Sequence, residues 1–145
     1  MLDRRERGQK ATIIDLGTRH TRNTEFSDHY LEFRPQTDVA IANCIAQQLI
    51  ERGAWDKKFV ENHCAFRADA DITKPDLLGV AISFDEFKKR IAEYTPESVS
   101  KLSGLSVEQL KMLCDLFADP NIRIRLFAGI CVSSPRPSNP IVPLT

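Results

Sequence analysis

The sequence predicts an α/β fold, in which a small parallel sheet is followed by a helical subdomain. Two short runs of residues typical of β-strands are each followed by a polar segment. One long amphipathic helix comes next, and then three helical segments with recognisable start and stop signals. This order is typical of an open α/β sheet, whose ligands bind beyond the carboxyl ends of its strands. The 145 residues fit a single domain.

Two strands are predicted near the start of the chain. The apolar run 11–14 is rich in β-branched residues and reads as a buried strand, and the run 30–33 reads as a second one. Residues 24–27 are predicted to form one helical turn between them. Polar loops 16–23 and 34–38 follow the two strands. If the strands are parallel neighbours, both loops lie side by side at one edge of the sheet.

The long amphipathic helix is predicted from about residue 38 to residue 52. Thr37 or Asp38 can cap its N-terminus, and Gly53 lies where a C-terminal glycine belongs. Asp56 is predicted to open a further short helix. The helix thus begins immediately after the second polar loop.

The remaining chain is predicted to carry the helical subdomain, at about 83–118. The starts of two of its helices are marked by capping boxes, Ser83 with Glu86 and Ser106 with Gln109. The third helix begins after Thr95-Pro96 and ends at Gly104. Segment 67–82 lacks a period and is predicted to be a loop, whereas the alternating run 122–127 predicts a third strand. We assign residues 1–128 to the α/β domain and expect the Pro-rich tail 129–145 to be disordered.

Composition and spacing argue against several classes of function. Lys and Arg balance Asp and Glu exactly in number, so we expect no nucleic acid or anionic membrane as a partner. No apolar run approaches the roughly 20 residues of a membrane span. The polar segment 6–10 follows Arg4-Arg5, so we expect no signal peptide and a cytoplasmic chain if it is expressed as written.

The cysteines and histidines give no metal-site pattern. Cys44, Cys64, Cys114 and Cys131 are widely spaced, which argues against a zinc ribbon, an iron–sulfur ligand set or a thioredoxin-like motif. Cys44 and Cys114 fall on apolar helix faces and are predicted to be small core residues. The spacing therefore predicts no metal ligand within this chain, and we assign no catalytic residue to it.

The two polar loops have the chemistry of a nucleotide site. Thr18, Thr21 and Gln36 offer neutral hydrogen-bonding groups, and planar donors that match phosphate oxygens come from Arg19, Arg22 and Arg34. The Asp38 carboxylate could accept two hydrogen bonds from the N1–H and N2–H₂ edge of a guanine. The alternatives are that Asp38 only caps the helix, that the arginines are solvated and that His20 is merely exposed.

An ordered series of short motifs resembles the molybdopterin oxidoreductase family, and within it the catalytic subunits of periplasmic nitrate reductases. The likeness runs from about residue 10 to residue 122. Its motifs are ATII at 11–14, TRHTR at 18–22, FSD at 26–28, FRPQTD at 33–38, the segment 56–63, EYTP at 93–96, LSGL at 102–105 and FADPN at 117–121. The resemblance implies that the α/β fold is a partial Rossmann-like parallel sheet with a helical subdomain.

The resemblance also implies a cofactor and the residues that hold it. The cofactor is bis(molybdopterin guanine dinucleotide) with one molybdenum. Carried over by position, its guanine nucleotide part contacts Gly17, Thr18, Arg19, His20, Thr21, Gln36, Thr37 and Asp38. Many family members have an acidic residue where this chain has Gly17.

The implied chemistry is the reduction of nitrate to nitrite, with electrons from a cytochrome c-type donor through a 4Fe-4S cluster, in the periplasm. The cluster and molybdenum ligands of the family lie upstream of the matching segment, and the cysteines here do not match them. We therefore expect a fragment that is inactive alone, whose likeness fades after Arg123 through a reading-frame change or truncation. The alternatives are a non-catalytic nucleotide-binding module or a helical interaction module.

Overall fold

The computed structural model describes residues 7–8, 11–69 and 79–126. The predicted Pro-rich tail 129–145 lies entirely outside these residues. Strand β1 (Ile14–Gly17) pairs in parallel with β2 (His29–Glu32). A 3₁₀ helix at Thr24–Phe26 connects them, which confirms the predicted helical turn. The α/β fold class is therefore confirmed.

The predicted position of the first strand was wrong by three residues. The ladder starts at Ile14 and continues through Gly17, so only the last residue of the predicted run 11–14 is in the strand. The parallel register aligns Ile14 with His29 and Gly17 with Glu32, which recruits Asp15 and Gly17 despite their low β propensity. Hydrogen bonding to a neighbour 15 residues away therefore sets the strand boundary.

The helices begin and end close to the positions that their capping residues and C-terminal glycines predict. They are α1 (Asp38–Glu51), α2 (Lys57–His63), α3 (Phe84–Ile91), α4 (Pro96–Ser103) and α5 (Val107–Ala118). Both capping boxes form, and Asp56 accepts a hydrogen bond from the backbone N–H of Phe59. Gly104 ends α4 with φ 81°, a left-handed conformation that favours glycine.

Two predictions about strands were wrong. Segment 67–82 is not simply a loop, because β3 (Phe66–Ala68) pairs antiparallel with β4 (Val80–Ile82). These three-residue strands are too short to show a period of their own. Conversely, residues 122–126 form no strand despite their alternating pattern, and Phe127 lies outside the described residues. Within the described chain this run has no strand to pair with.

One hydrophobic core joins the helices to the inner face of the parallel sheet. Helix α1 contacts α3, α4 and α5, and α4 also contacts α5. The core consists of Leu31 from β2, Ile41 and Cys44 from α1, Val99 from α4, Leu105 from the next turn, and Leu110, Leu113 and Cys114 from α5. Among the described residues, no helix is long and apolar enough to cross a bilayer. The core therefore fixes α1, and with it the second polar loop, relative to the sheet.

Candidate functional site

The two polar loops leave the sheet from adjacent positions. Gly17 and Glu32 are register partners at the ends of the two parallel strands, and the backbone N–H of Phe33 donates to the Gly17 carbonyl at 3.1 Å. Because the two strands run in the same direction, the two loops that follow them leave the sheet at the same edge. The expectation that loops 16–23 and 34–38 lie side by side is thus supported by the strand pairing.

The first loop is tied back to β1 by Thr24, a residue that sequence reasoning missed. The buried Thr24 hydroxyl donates to the Asp15 carboxylate at 2.6 Å and accepts from the backbone N–H of Thr21 at 3.0 Å. The backbone N–H of Thr24 donates to the Thr21 carbonyl at 3.0 Å. No local pattern reveals this role, because the Asp15 partner lies nine residues away.

Gly17 is the last residue of β1 and not, as predicted, part of the loop. A Cβ on Gly17 would lie 3.3 Å from the Arg19 carbonyl oxygen and 3.5 Å from the Tyr30 ring. The missing side chain therefore allows the chain to fold back tightly just after the strand. Thr18, Arg19 and His20 follow in this turn, and all three are exposed.

A ring contact joins the first loop to the second strand. The His20 ring meets the Tyr30 ring edge-on, with 5.4 Å between their centroids. The Tyr30 hydroxyl is buried and has no hydrogen-bond partner among the described residues. Burial, followed by the nearby carboxylates of Glu32 and Asp15, raises the pKa of Tyr30 above its ordinary value. Tyr30 therefore stays a neutral phenol beneath the loop at neutral pH.

The second loop is a tight turn that precedes α1. Gln36 adopts φ 69° in the turn. Thr37 occupies the N-cap position, but its side chain does not cap the helix; the hydroxyl instead donates to the Arg34 carbonyl at 2.6 Å. Thr37 is thus the N-cap residue, one of the two predicted candidates, but it makes no side-chain cap bond because the turn itself takes its hydroxyl.

Arg34 is held against the helical subdomain by one guanidinium nitrogen and by its backbone. Its guanidinium donates to the carbonyl oxygens of Lys101 at 3.0 Å and Leu102 at 3.4 Å, in the last turn of α4. Its backbone N–H donates to the Ser103 carbonyl at 2.8 Å. A cation at a helix C-terminus is favoured by the helix dipole. Arg34 thus anchors the second loop on the helical subdomain.

Asp38 is the first residue of α1 and is exposed. Within the described residues its carboxylate takes no side-chain hydrogen bond and no ion pair. The interpretation of Asp38 as a helix cap therefore loses its support, since Thr37 holds the N-cap position. An exposed carboxylate beside free helix N–H groups leaves both acceptor and donor chemistry available to a ligand.

Other features of the surface lie away from these loops. Within the described ranges, no three side chains of His, Cys, Asp or Glu come together as potential metal ligands. An open depression of about 510 Å³ lies along α5 and the turn after it, lined by Met112, Leu116 and Ile122 with charged residues at its rim. It includes no residue of either polar loop.

Comparison with known proteins supports a broad relationship. No protein-family model matches the chain. Among solved structures, the chain is similar to acetylene hydratase from Pelobacter acetylenicus, with a TM-score of 0.56 and 26% sequence identity. The match covers 78% of this chain and 13% of that chain. That enzyme belongs to the molybdopterin (tungsten or molybdenum) enzymes, so the likeness supports this superfamily and does not single out nitrate reductase.

Proposed function

We propose that this chain is a segment of a molybdopterin oxidoreductase and holds the guanine nucleotide end of its cofactor. The observation that carries the proposal is the parallel register of β1 and β2, which starts both polar loops from neighbouring positions. The likeness to acetylene hydratase from Pelobacter acetylenicus supports the cofactor class. The chain spans 13% of that enzyme's length, so the proposal concerns one part of a larger catalytic unit.

The available groups fit the guanine nucleotide. Asp38 has an exposed carboxylate without a protein partner in the described chain, and two parallel acceptor oxygens match the N1–H and N2–H₂ edge of guanine. The phosphates and sugar are assigned to the exposed turn of Thr18, Arg19 and His20, with Thr21 behind it. Gln36 and Thr37 border the base through their tight turn. Arg34 is left out of this role.

The finer proposal is the nitrate reductase subgroup, which rests on the PQTD form of the loop at 35–38 and the ordered motifs around it. In that case the cofactor is bis(molybdopterin guanine dinucleotide), and the molybdenum it carries supplies oxygen-atom transfer. The 4Fe-4S cluster would be held by other parts of the enzyme, and a cytochrome c-type protein would donate electrons in the periplasm. The residues of this chain bind and orient the nucleotide only.

Substrate assays on the native assembly test this finer proposal. A complex captured from its own cells through a tagged copy of this chain should contain molybdenum and reduce nitrate with a viologen donor. Formate offered to the same preparation should give no turnover. A molybdenum-containing complex that oxidises formate and leaves nitrate unchanged would overturn the nitrate assignment and leave the cofactor role standing.

Calorimetry with GMP and GDP tests the proposed nucleotide role. Asp38→Asn removes the charged acceptor and should weaken guanine nucleotide binding by about tenfold or more, because hydrogen bonds to charged groups contribute about 1.5–3 kcal/mol. Glu61→Gln, an exposed change on α2, is the matched control and should bind like the wild type. Absence of binding to the wild-type chain at millimolar nucleotide contradicts the proposal, as does equal loss in both variants.

A further inference from the structure

The outer face of the parallel sheet carries a distinctive set of side chains. Residues two apart on a strand point to the same face, and register partners on neighbouring strands share a face as well. Leu31 belongs to the core, so Tyr30 and Glu32 lie on the opposite face of β2. The register places Asp15 beside Tyr30, and Gly17 beside Glu32. The outer face therefore carries carboxylates and a phenol, and it has a gap at Gly17.

The first polar loop covers one part of this outer face. The Thr24 hydroxyl donates to the Asp15 carboxylate at 2.6 Å, so this carboxylate is already paired. The His20 ring meets the Tyr30 ring edge-on. Glu32 lies beyond this cover and is exposed, and its register partner on β1 is a glycine that has no side chain to shield it. The Glu32 carboxylate is thus the open acceptor of the outer face.

Glu32 also lies between the two parts of the proposed nucleotide site. It is the last residue of β2, opposite the glycine from which the first loop leaves the sheet. The second loop begins just after it, at Arg34. The proposed site gives the phosphates to the first loop and the base to Asp38 on α1. Because the ribose joins the base to the phosphates in a nucleotide, a carboxylate between the two loops meets the ribose.

Charge disfavours the phosphates at this position and favours hydroxyl groups. The carboxylates of Asp15 and Glu32 repel an anion on their own face of the sheet. A ribose is neutral, and its neighbouring 2′ and 3′ hydroxyls can donate to both oxygens of one carboxylate. The buried Tyr30 hydroxyl, which has no hydrogen-bond partner among the described residues, adds a donor on the same face. In nucleotide-binding α/β folds, a carboxylate near the end of a strand commonly accepts a hydrogen bond from a ribose hydroxyl.

We propose that Glu32 recognises the ribose of the guanine nucleotide by accepting hydrogen bonds from its 2′ and 3′ hydroxyls. This inference rests on the proposed nucleotide role and adds a selectivity for ribonucleotides over deoxyribonucleotides. Asp38 reads the base and Glu32 reads the sugar. The two selectivities therefore depend on different side chains and can be measured separately.

Calorimetry of the full chain with GMP and 2′-deoxy-GMP tests the proposal. The wild type should bind GMP about tenfold more tightly than 2′-deoxy-GMP, because the deoxy sugar loses a hydrogen bond to a charged acceptor. In Glu32→Ala the acceptor is gone, so the two dissociation constants should agree within about twofold. Glu61→Ala, an exposed change on α2, is the matched control and should keep the full preference for GMP.

The outcomes separate this inference from the role on which it rests. GMP binding that depends on Asp38, with equal affinity for 2′-deoxy-GMP, overturns the ribose assignment and leaves the nucleotide role standing. A preference for GMP that persists in Glu32→Ala overturns it in the same way. Absence of GMP binding to the wild type at millimolar concentration rejects both. If Glu32→Ala does not fold by circular dichroism, Glu32→Gln replaces it; its neutral amide oxygen should weaken the preference, and an unchanged preference rejects the assignment.

Discussion

The Arg34 guanidinium donates a 3.0 Å hydrogen bond to the Lys101 carbonyl, which joins the second polar loop to the C-terminus of α4. This contact spans 67 residues of sequence. Because the backbone of Arg34 also donates to Ser103, both parts of one residue satisfy carbonyls that a helix end leaves unpaired. The position of the turn before Asp38 therefore depends on the helical subdomain.

Arg34→Ala should lower the free energy of unfolding by about 1 kcal/mol, because two carbonyl groups lose their charged donor at an exposed position. Urea denaturation of the variant and the wild type measures this difference. Arg19→Ala is the matched control and should change the stability by less than about 0.5 kcal/mol, since the Arg19 side chain is exposed. Equal stability of both variants would show that the Arg34 contact contributes nothing measurable.

Thr24→Val should destabilise the chain by about 1–3 kcal/mol, because the isosteric change leaves the Asp15 carboxylate without its hydroxyl donor. The loop after β1 should also lose protection from hydrogen exchange at the Thr21 amide, which donates to the Thr24 hydroxyl. Thermal unfolding and exchange measured by NMR provide the two readouts. Thr18→Val, at an exposed site in the same loop, should leave both unchanged.

The ion pair between Asp69 and Arg90 should give a pH-dependent contribution to stability. Hydrogen bonds from Arg90 to both Asp69 oxygens, at 3.1 Å each, lower the pKa of Asp69 below its ordinary 3.8. A carboxyl whose folded pKa is depressed stabilises the protein above its unfolded pKa, and this contribution is lost as the pH falls through the folded value. Asp69→Asn should therefore be less stable than the wild type at pH 7, and the difference should vanish well below pH about 4.

An NMR titration provides the direct measurement. In Arg90→Gln, the pKa of Asp69 should return toward its ordinary value, because the hydrogen bonds from Arg90 are the main cause of its lowering. Residue 69 has φ 54°, a conformation that asparagine tolerates, so the Asp69→Asn comparison isolates the charge. A stability difference that persists unchanged at low pH would contradict the electrostatic explanation.

The sequence predicts the helices well because their signals are local. Ser106 and Gln109 lie within one helical turn and cap the same helix in the structure. Strand boundaries depend on distant partners: β1 extends to Gly17 because Glu32 lies opposite it. The strands β3 and β4 were missed for the same reason, and run 122–126 has strand alternation without a pairing partner in the described chain.

The adjacency of the two polar loops was predictable from the sequence, but the hydrogen-bond partners of their side chains were not. Two loops after parallel strands indicate one edge, and the register supports that prediction. Composition cannot distinguish Arg34, which is hydrogen-bonded to α4, from Arg19, because the difference comes from the carbonyls of α4 that fold against the second loop. Tyr30 and Thr24 were missed because each acts through burial beneath the first loop.

The central claim is that loops 17–21 and 36–38 bind one guanine nucleotide together. A GMP titration of the ¹⁵N-labelled chain, followed by NMR, tests it most directly. The account predicts that amide signals from both loops shift with the same dissociation constant and that AMP at equal concentration shifts them much less. Shifts confined to one loop or to α5, or equal responses to GMP and AMP, would contradict it.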